Sequence, residues 1–199
     1  MLSKFVVMIA AVAALAVLGE WANAAPLELG VKAPDFSAMG SDGKEFKLSE
    51  HIGKRPIVLF FYPKDNTPGC TKQVCSVRDA FPELRRLDVV VAGMSYDSVQ
   101  SHKGFVAKHS LPYPLLSDPD GAVAKLYGAY RRLFTRRMTF IIGLDGSIAY
   151  VDPAVKPEGH GQALVKVLSG LAAAKPWGED AAPACKAGAC GATTPKGGR

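Results

Sequence analysis

Two cysteines near the start of one helix are the residues of this chain best suited to chemistry. Phe60 to Arg78 reads F-F-Y-P-K-D-N-T-P-G-C-T-K-Q-V-C-S-V-R. An apolar run, Ile57 to Phe61, enters a Pro/Asp/Asn/Gly turn, and the turn opens a helix with Cys70 in its first turn. A helix N-terminus carries N–H groups without intrahelical acceptors and the positive end of the helix dipole. Both favour a thiolate over a thiol, and the thiolate is the nucleophile. Cys75 follows on the same helix. An activated thiol with a second in reach is the layout of a redox catalyst rather than of a structural bridge. Thr67 lies about one helical turn before Cys70, where its hydroxyl can cap the helix and also serve the site.

The elements that must position these groups are legible around them. Asp35 to Met39 and Glu45 to Leu48 are predicted as short strands about a Ser-Asp-Gly turn. Pro56 opens the buried strand Ile57 to Phe61. The helix after Cys70 carries Val74, Val77, Phe81 and Leu84 at helical spacing, with Pro82 expected to bend it. Val89 to Met94 is a continuous apolar strand of the kind buried on both faces. Asp97-Ser98 caps a helix to about His109, Leu115-Leu116 marks another strand, and Ala122 to Tyr127 is a short helix. Met138 to Leu144 and Ser147 to Val151 form a hairpin about Asp145-Gly146, and Gln162 to Ala174 is a last amphipathic helix. This order predicts an α/β fold, with a mainly parallel or mixed central sheet and helices on both faces.

Composition narrows the function classes. The chain has 199 residues, 48% of them hydrophobic, which suits one domain with flanking segments. The net charge of +6 is not accompanied by an aromatic-interleaved basic stripe, so nucleic acid is not an expected partner. His51, His102, His109 and His160 lack metal-ligand spacing, and solvent-facing or locally bonded roles are expected of them. No metal or cofactor is expected. Residues 1–24 have the form of a secretory signal peptide: Lys4, an uncharged apolar run from Phe5 to Leu18, and Ala22-Asn23-Ala24 as a cleavage site. The run is short for a bilayer span, so cleavage is preferred to a retained anchor, and no stable membrane insertion is expected. Export, most simply to a periplasm, places all four cysteines in an oxidising compartment. The domain is expected over residues 25–174. From residue 175 an Ala/Gly/Pro/Lys tail carries Cys185 and Cys190, and too little apolar area to order itself. That pair reads as a passive surface disulfide, with a redox relay or metal capture as alternatives.

Pro63, Thr67 and Cys70 match the Pro-x-x-x-Thr-x-x-Cys pattern of the peroxiredoxins. The tract Tyr62 to Cys75 resembles the bacterioferritin comigratory protein, or peroxiredoxin Q, subfamily, which places its resolving cysteine as Cys75 stands after Cys70. Ala33 to Phe36, Asp97 to His102, Pro114 to Asp118 and Arg137 to Ile142 extend the resemblance. It implies a thioredoxin-like fold, a monomer, no cofactor, a peroxide substrate and a thioredoxin-like protein reductant. It implies Cys70 as the peroxidatic thiol, Cys75 as the resolving one, and a Cys70–Cys75 disulfide. Arg137 would lie over the sulfur, since Arg137-Met138-Thr139-Phe140 fits the family's Arg-x-Thr/Ser-Phe, and Arg136 is the rival register. Pro63 would shield the thiolate from water. The bland alternatives are a small buried residue at Cys75 and a surface charge at Arg137.

Two magnitudes constrain such a cycle. Full ionisation of an ordinary cysteine raises its reactive fraction by about thirtyfold at neutral pH, so a fast peroxidase also needs fixed donors for the departing oxygen. Residues five apart on a helix have Cα atoms roughly 8–9 Å apart and point about 140° away from each other. A disulfide requires less than about 7 Å. Cys70 and Cys75 can therefore bridge only if the helix start unwinds. Competing functions are an exported thiol–disulfide oxidoreductase, which would want Cys-x-x-Cys, and a non-catalytic redox-sensing or metal-binding protein resting on the tail pair.

Overall fold

The computed structural model describes residues 27–174. The expectations for the leader, residues 1–24, and for the tail with Cys185 and Cys190 lie outside the described residues. The strands are β1 (Ser37–Gly40), β2 (Glu45–Lys47), β3 (Ile57–Phe61), β4 (Val90–Ser95), β5 (Leu115–Ser117), β6 (Met138–Ile142) and β7 (Ile148–Asp152). The helices are α1 (Pro68–Arg86), α2 (Val99–His109), α3 (Ala122–Leu126) and α4 (His160–Ala174). Strand boundaries move by a residue or two from expectation, and β6 ends at Ile142 because the chain turns at Gly143 towards Gly146.

One seven-stranded sheet has the order β2-β1-β5-β4-β3-β6-β7. Its centre, β5-β4-β3, is parallel, and the flanking pairs are antiparallel, so the sheet is mixed. The alternation of β3 divides the core. Val58, Phe60 and Tyr62 face one layer, with Val74, Val77, Phe105, Leu164 and Leu168 from α1, α2 and α4. Ile57, Leu59 and Phe61 face the other, with Phe36, Phe46, Tyr127 and Phe140. Helices cover both faces unequally: three on the first and α3 on the second.

Helix α1 begins where its sequence directs. Thr67 is extended at the N-cap and Pro68 occupies the first helical position, where a missing N–H costs nothing. Its inner stripe is Cys70, Gln73, Val74, Val77, Ala80 and Leu84. Pro82 is accommodated inside one continuous helix. The last helix approaches α1 closely at Gly161, whose N–H donates to Ser76 Oγ at 3.0 Å. A Cβ on Gly161 would lie 2.1 Å from the Ser76 carbonyl oxygen.

Gly161→Ala is therefore expected to destabilise the protein by about 3 kcal/mol, because overpacking against backbone outweighs the ~1 kcal/mol helix-propensity gain of Ala. Urea unfolding checks this, and an unchanged or higher midpoint would refute the close helix contact.

Candidate active site

The β3–β6 register brings the site together. Phe61 pairs with Met138 and Phe60 with Thr139, so Arg137, just before β6, arrives beside Tyr62 and Pro63, just after β3. Thr135 Oγ1 fixes this junction by donating to the Tyr62 carbonyl at 2.6 Å. Cys70, in the first turn of α1, is 1% exposed. Arg137 Nη2 donates to its Sγ at 3.4 Å. Gly69 lies against the same guanidinium: a Cβ there would stand in ordinary contact with Arg137 Nη2, at 3.4 Å. Of the two neighbouring arginines, Arg137 is the one whose guanidinium meets the sulfur. Both arginines line an open cleft of about 360 Å³ with Pro63, Arg131 and Phe134.

Arg137 is itself held by Gln73, a residue that its sequence context does not single out. Its Nη1 donates to Gln73 Oε1. Gln73 Nε2 lies 3.3 Å from His160 Nδ1, and His160 Nε2 lies 3.0 Å from Thr139 Oγ1. The amide orientation that accepts from Arg137 makes Gln73 a donor to Nδ1, so the His160 proton sits on Nε2 and points at Thr139. Burial, reinforced by the Arg137 charge, pushes His160 down to about 4 and keeps it neutral. The chain Cys70–Arg137–Gln73–His160–Thr139 ties α1, α4 and β6 to one guanidinium. The sequence offered one signal for it: Gln73 is a polar residue on the apolar stripe of α1.

A second buried network anchors the loop before α1. Asp65 accepts from Tyr62 Oη at 2.7 Å and from Ser101 Oγ at 2.7 Å, and His102 Nδ1 lies 3.0 Å away. Burial alone would raise the Asp65 carboxyl, but the hydrogen bonds from His102 and Tyr62 and the His102 charge bring it below the usual range. Asp65 N–H donates to Asp97 Oδ2 at 2.8 Å. Asp97 is thus committed to this loop, and Ser98 alone caps α2 by accepting from Ser101 N–H. His102 and His160 are locally bonded as expected, but inside the core rather than at the surface.

Thr67 Oγ1 donates to the Lys64 carbonyl at 3.0 Å, and no side-chain bond from it caps the helix. Cys70 and Cys75 are both free thiols inside an intact α1. Cys75 is half-buried, with its Sγ 3.8 Å from His109 Nδ1. Among the described residues no cluster of three His, Cys, Asp or Glu could hold a metal, and no helix is long and apolar enough to cross a membrane.

Residues 29–151 match the AhpC/TSA family. A putative peroxiredoxin bcp of Coxiella burnetii is 42% identical over 142 residues, covering 67% of this chain and 93% of that one. The chain belongs to the peroxiredoxins, in the bacterioferritin comigratory protein or peroxiredoxin Q subfamily. Solved structures of that subfamily superpose on it. The peroxidoxin BcpB of Mycobacterium tuberculosis does so with a TM-score of 0.69 at 31% identity, over 73% of this chain and 98% of that one. The bacterioferritin comigratory protein of Xanthomonas campestris gives a TM-score of 0.68 at 32% identity, over 75% and 99%. The fold of this peroxiredoxin is thioredoxin-like, and the enzyme is a thiol peroxidase.

The neutral His160 has a consequence for stability. Its folded value of about 4 lies below the ordinary 6.5, so the unfolded chain takes up the proton first as pH falls. The contribution is complete above about pH 6.5 and is lost towards pH 4, amounting to roughly 3 kcal/mol. Unfolding measured at pH 7 and pH 4 should show that loss in the parent protein and its absence in His160→Gln. Equal pH dependence in both would contradict the assignment.

Proposed function

We propose that this peroxiredoxin is exported and reduces hydrogen peroxide and organic hydroperoxides through a Cys70 sulfenic acid and a Cys70–Cys75 disulfide. The observation that carries the reading is the Arg137 guanidinium against a buried Cys70 sulfur at a helix N-terminus. The thiolate attacks one peroxide oxygen and the O–O bond breaks. The other oxygen leaves as water or an alcohol once it takes a proton. Arg137 and the N–H groups of Gly69 and Cys70 supply fixed positive charge as that oxygen departs. Pro63 and Thr67 flank the sulfur's turn and shape the approach. Cys75 then attacks the Cys70 sulfenic acid, forming the disulfide and releasing water.

A dithiol reductant restores both thiols. Residues 1–24 read as an export signal, and export separates the enzyme from a cytosolic reductant, so a thioredoxin-like protein of the same oxidising compartment is the expected electron donor. A periplasm fits best, with the enzyme a monomer. Organic hydroperoxides are included because the cleft beside Arg137 combines guanidinium groups with the half-exposed Phe134. Alkyl peroxide reduction is the activity named for the Xanthomonas campestris relative. Cys70-x4-Cys75 departs from the Cys-x-x-Cys an oxidoreductase reading would need.

Cys70→Ser should abolish peroxide reduction, while Cys75→Ser should turn over once and accumulate sulfenic acid. Arg137→Ala should slow the first oxidation by about a hundredfold even where Cys70 is fully ionised, the usual loss for a donor to a developing charge. Stopped-flow peroxide kinetics check all three. Full turnover by Cys70→Ser, or a larger effect of Arg136→Ala than of Arg137→Ala, would contradict the assignment.

A further inference from the structure

The second thiol has a built polar surrounding of its own. Cys75 is half-buried on α1, facing the C-terminal end of α2. Four titratable groups lie around it: Tyr113, Arg78, Asp79 and His109. Tyr113 is buried and donates its hydroxyl to the Val74 carbonyl at 2.7 Å. Burial above all holds that phenol well above its ordinary range, so it stays protonated and cannot serve as a base. Arg78 is a permanent cation, held by Asp79 at 2.8 Å and by the His109 carbonyl at 2.9 Å. Asp79 is mostly exposed and committed to Arg78. His109 is the group that remains, with Nδ1 3.8 Å from Cys75 Sγ.

We infer that His109 is the general base of the resolving step, taking the Cys75 proton so that a thiolate attacks the Cys70 sulfenic acid. The inference rests on the disulfide cycle proposed above. His109 is the last residue of α2, where the carbonyl end of the helix stabilises an imidazolium as it forms. Its ring stands edge-to-face on Phe105, with centroids 4.9 Å apart, which fixes the plane of Nδ1. Its Nε2 is buried with no hydrogen-bond partner among the described residues, so Nδ1 is the nitrogen that exchanges a proton. Burial, then Lys108 and Arg78, lowers its pKa, which leaves the imidazole neutral and able to accept at neutral pH.

The step balances without any further reagent. The Cys75 S–H bond breaks and its proton passes to His109 Nδ1. The Cys75 sulfur bonds to the Cys70 sulfur, and the S–O bond of the sulfenic acid breaks. The departing hydroxide takes the proton back and leaves as water. In the reductive half, His109 can pass to Cys75 a proton taken from the attacking reductant thiol, as Cys75 is displaced as a thiolate. Arg78 stabilises the thiolate in both directions. This places the motion on the Cys70 side: the first turn of α1 unwinds, while Cys75 stays against α2 until it reacts.

The test is rapid-quench kinetics on the full chain with one equivalent of hydrogen peroxide, following Cys70 sulfenic acid and the disulfide separately. His109→Asn should form sulfenic acid as fast as the parent, which also shows that the variant is folded. Its disulfide formation at pH 7 should be at least tenfold slower, with more sulfinic acid at high peroxide. Raising the pH to 9 should restore most of the lost rate, because hydroxide then removes the proton. Unchanged disulfide formation at pH 7, or a loss that high pH does not relieve, would overturn the inference. A parent protein that forms no Cys70 sulfenic acid would overturn the cycle itself and this step with it, and that failure is visible before any substitution is made.

Discussion

The contact between the Arg137 guanidinium and the Cys70 sulfur is the constraint around which the rest of the molecule is arranged. A cation at a buried sulfur is costly unless it is fully bonded, since desolvation of an ion amounts to several kcal/mol. The protein meets this with Gln73 on one nitrogen and the sulfur on the other. Gln73 is fixed in turn by His160, and His160 by Thr139. These side chains come from α1, α4 and β6, so the sheet register, the start of α1 and the docking of α4 all converge on one planar group. A networked group of this kind loses more than one hydrogen bond when any member is removed.

In the proposed disulfide cycle, the same arrangement sets a conflict between holding Cys70 in place and letting it move. Cys70 and Cys75 cannot bridge within a helix, yet α1 is intact from Pro68 to Arg86. The resolution lies in the uneven strength of the helix. Its first turn has Pro68, which lacks an N–H, and Gly69, and its first intrahelical bond is Thr71 N–H to the Thr67 carbonyl. Beyond it, Val74 and Val77 are fully buried and Ser76 receives Gly161. On the other side, Asp65 pins the preceding loop to α2. The segment between these two anchors is where local unfolding is least costly.

Local physics explains what the sequence made legible. Ile57 to Phe61 followed by a Pro/Gly turn is a strand, turn and helix start by short-range rules alone, and it was found there without adjustment. Arg137 became legible only through a family pattern, because it lies 67 residues from Cys70 in sequence and reaches it through the β3–β6 pairing. Gln73, His160 and His109 carry no local signal strong enough to name their partners. Thr67 was legible as the residue before the helix, but its hydroxyl direction was not: it turns back to Lys64. The imidazoles of His102 and His160 are interior because both ring nitrogens of each find a partner there, which spacing along the chain does not reveal.

The account stands on Cys70 reacting first and Cys75 completing the bond. Peptide mapping by mass spectrometry, after the reduced protein has met one equivalent of hydrogen peroxide, reads both at once. The expected result is a single new disulfide joining Cys70 to Cys75, with no oxygen retained on either sulfur. Retained oxygen on Cys75, or a disulfide that excludes Cys70, would contradict it.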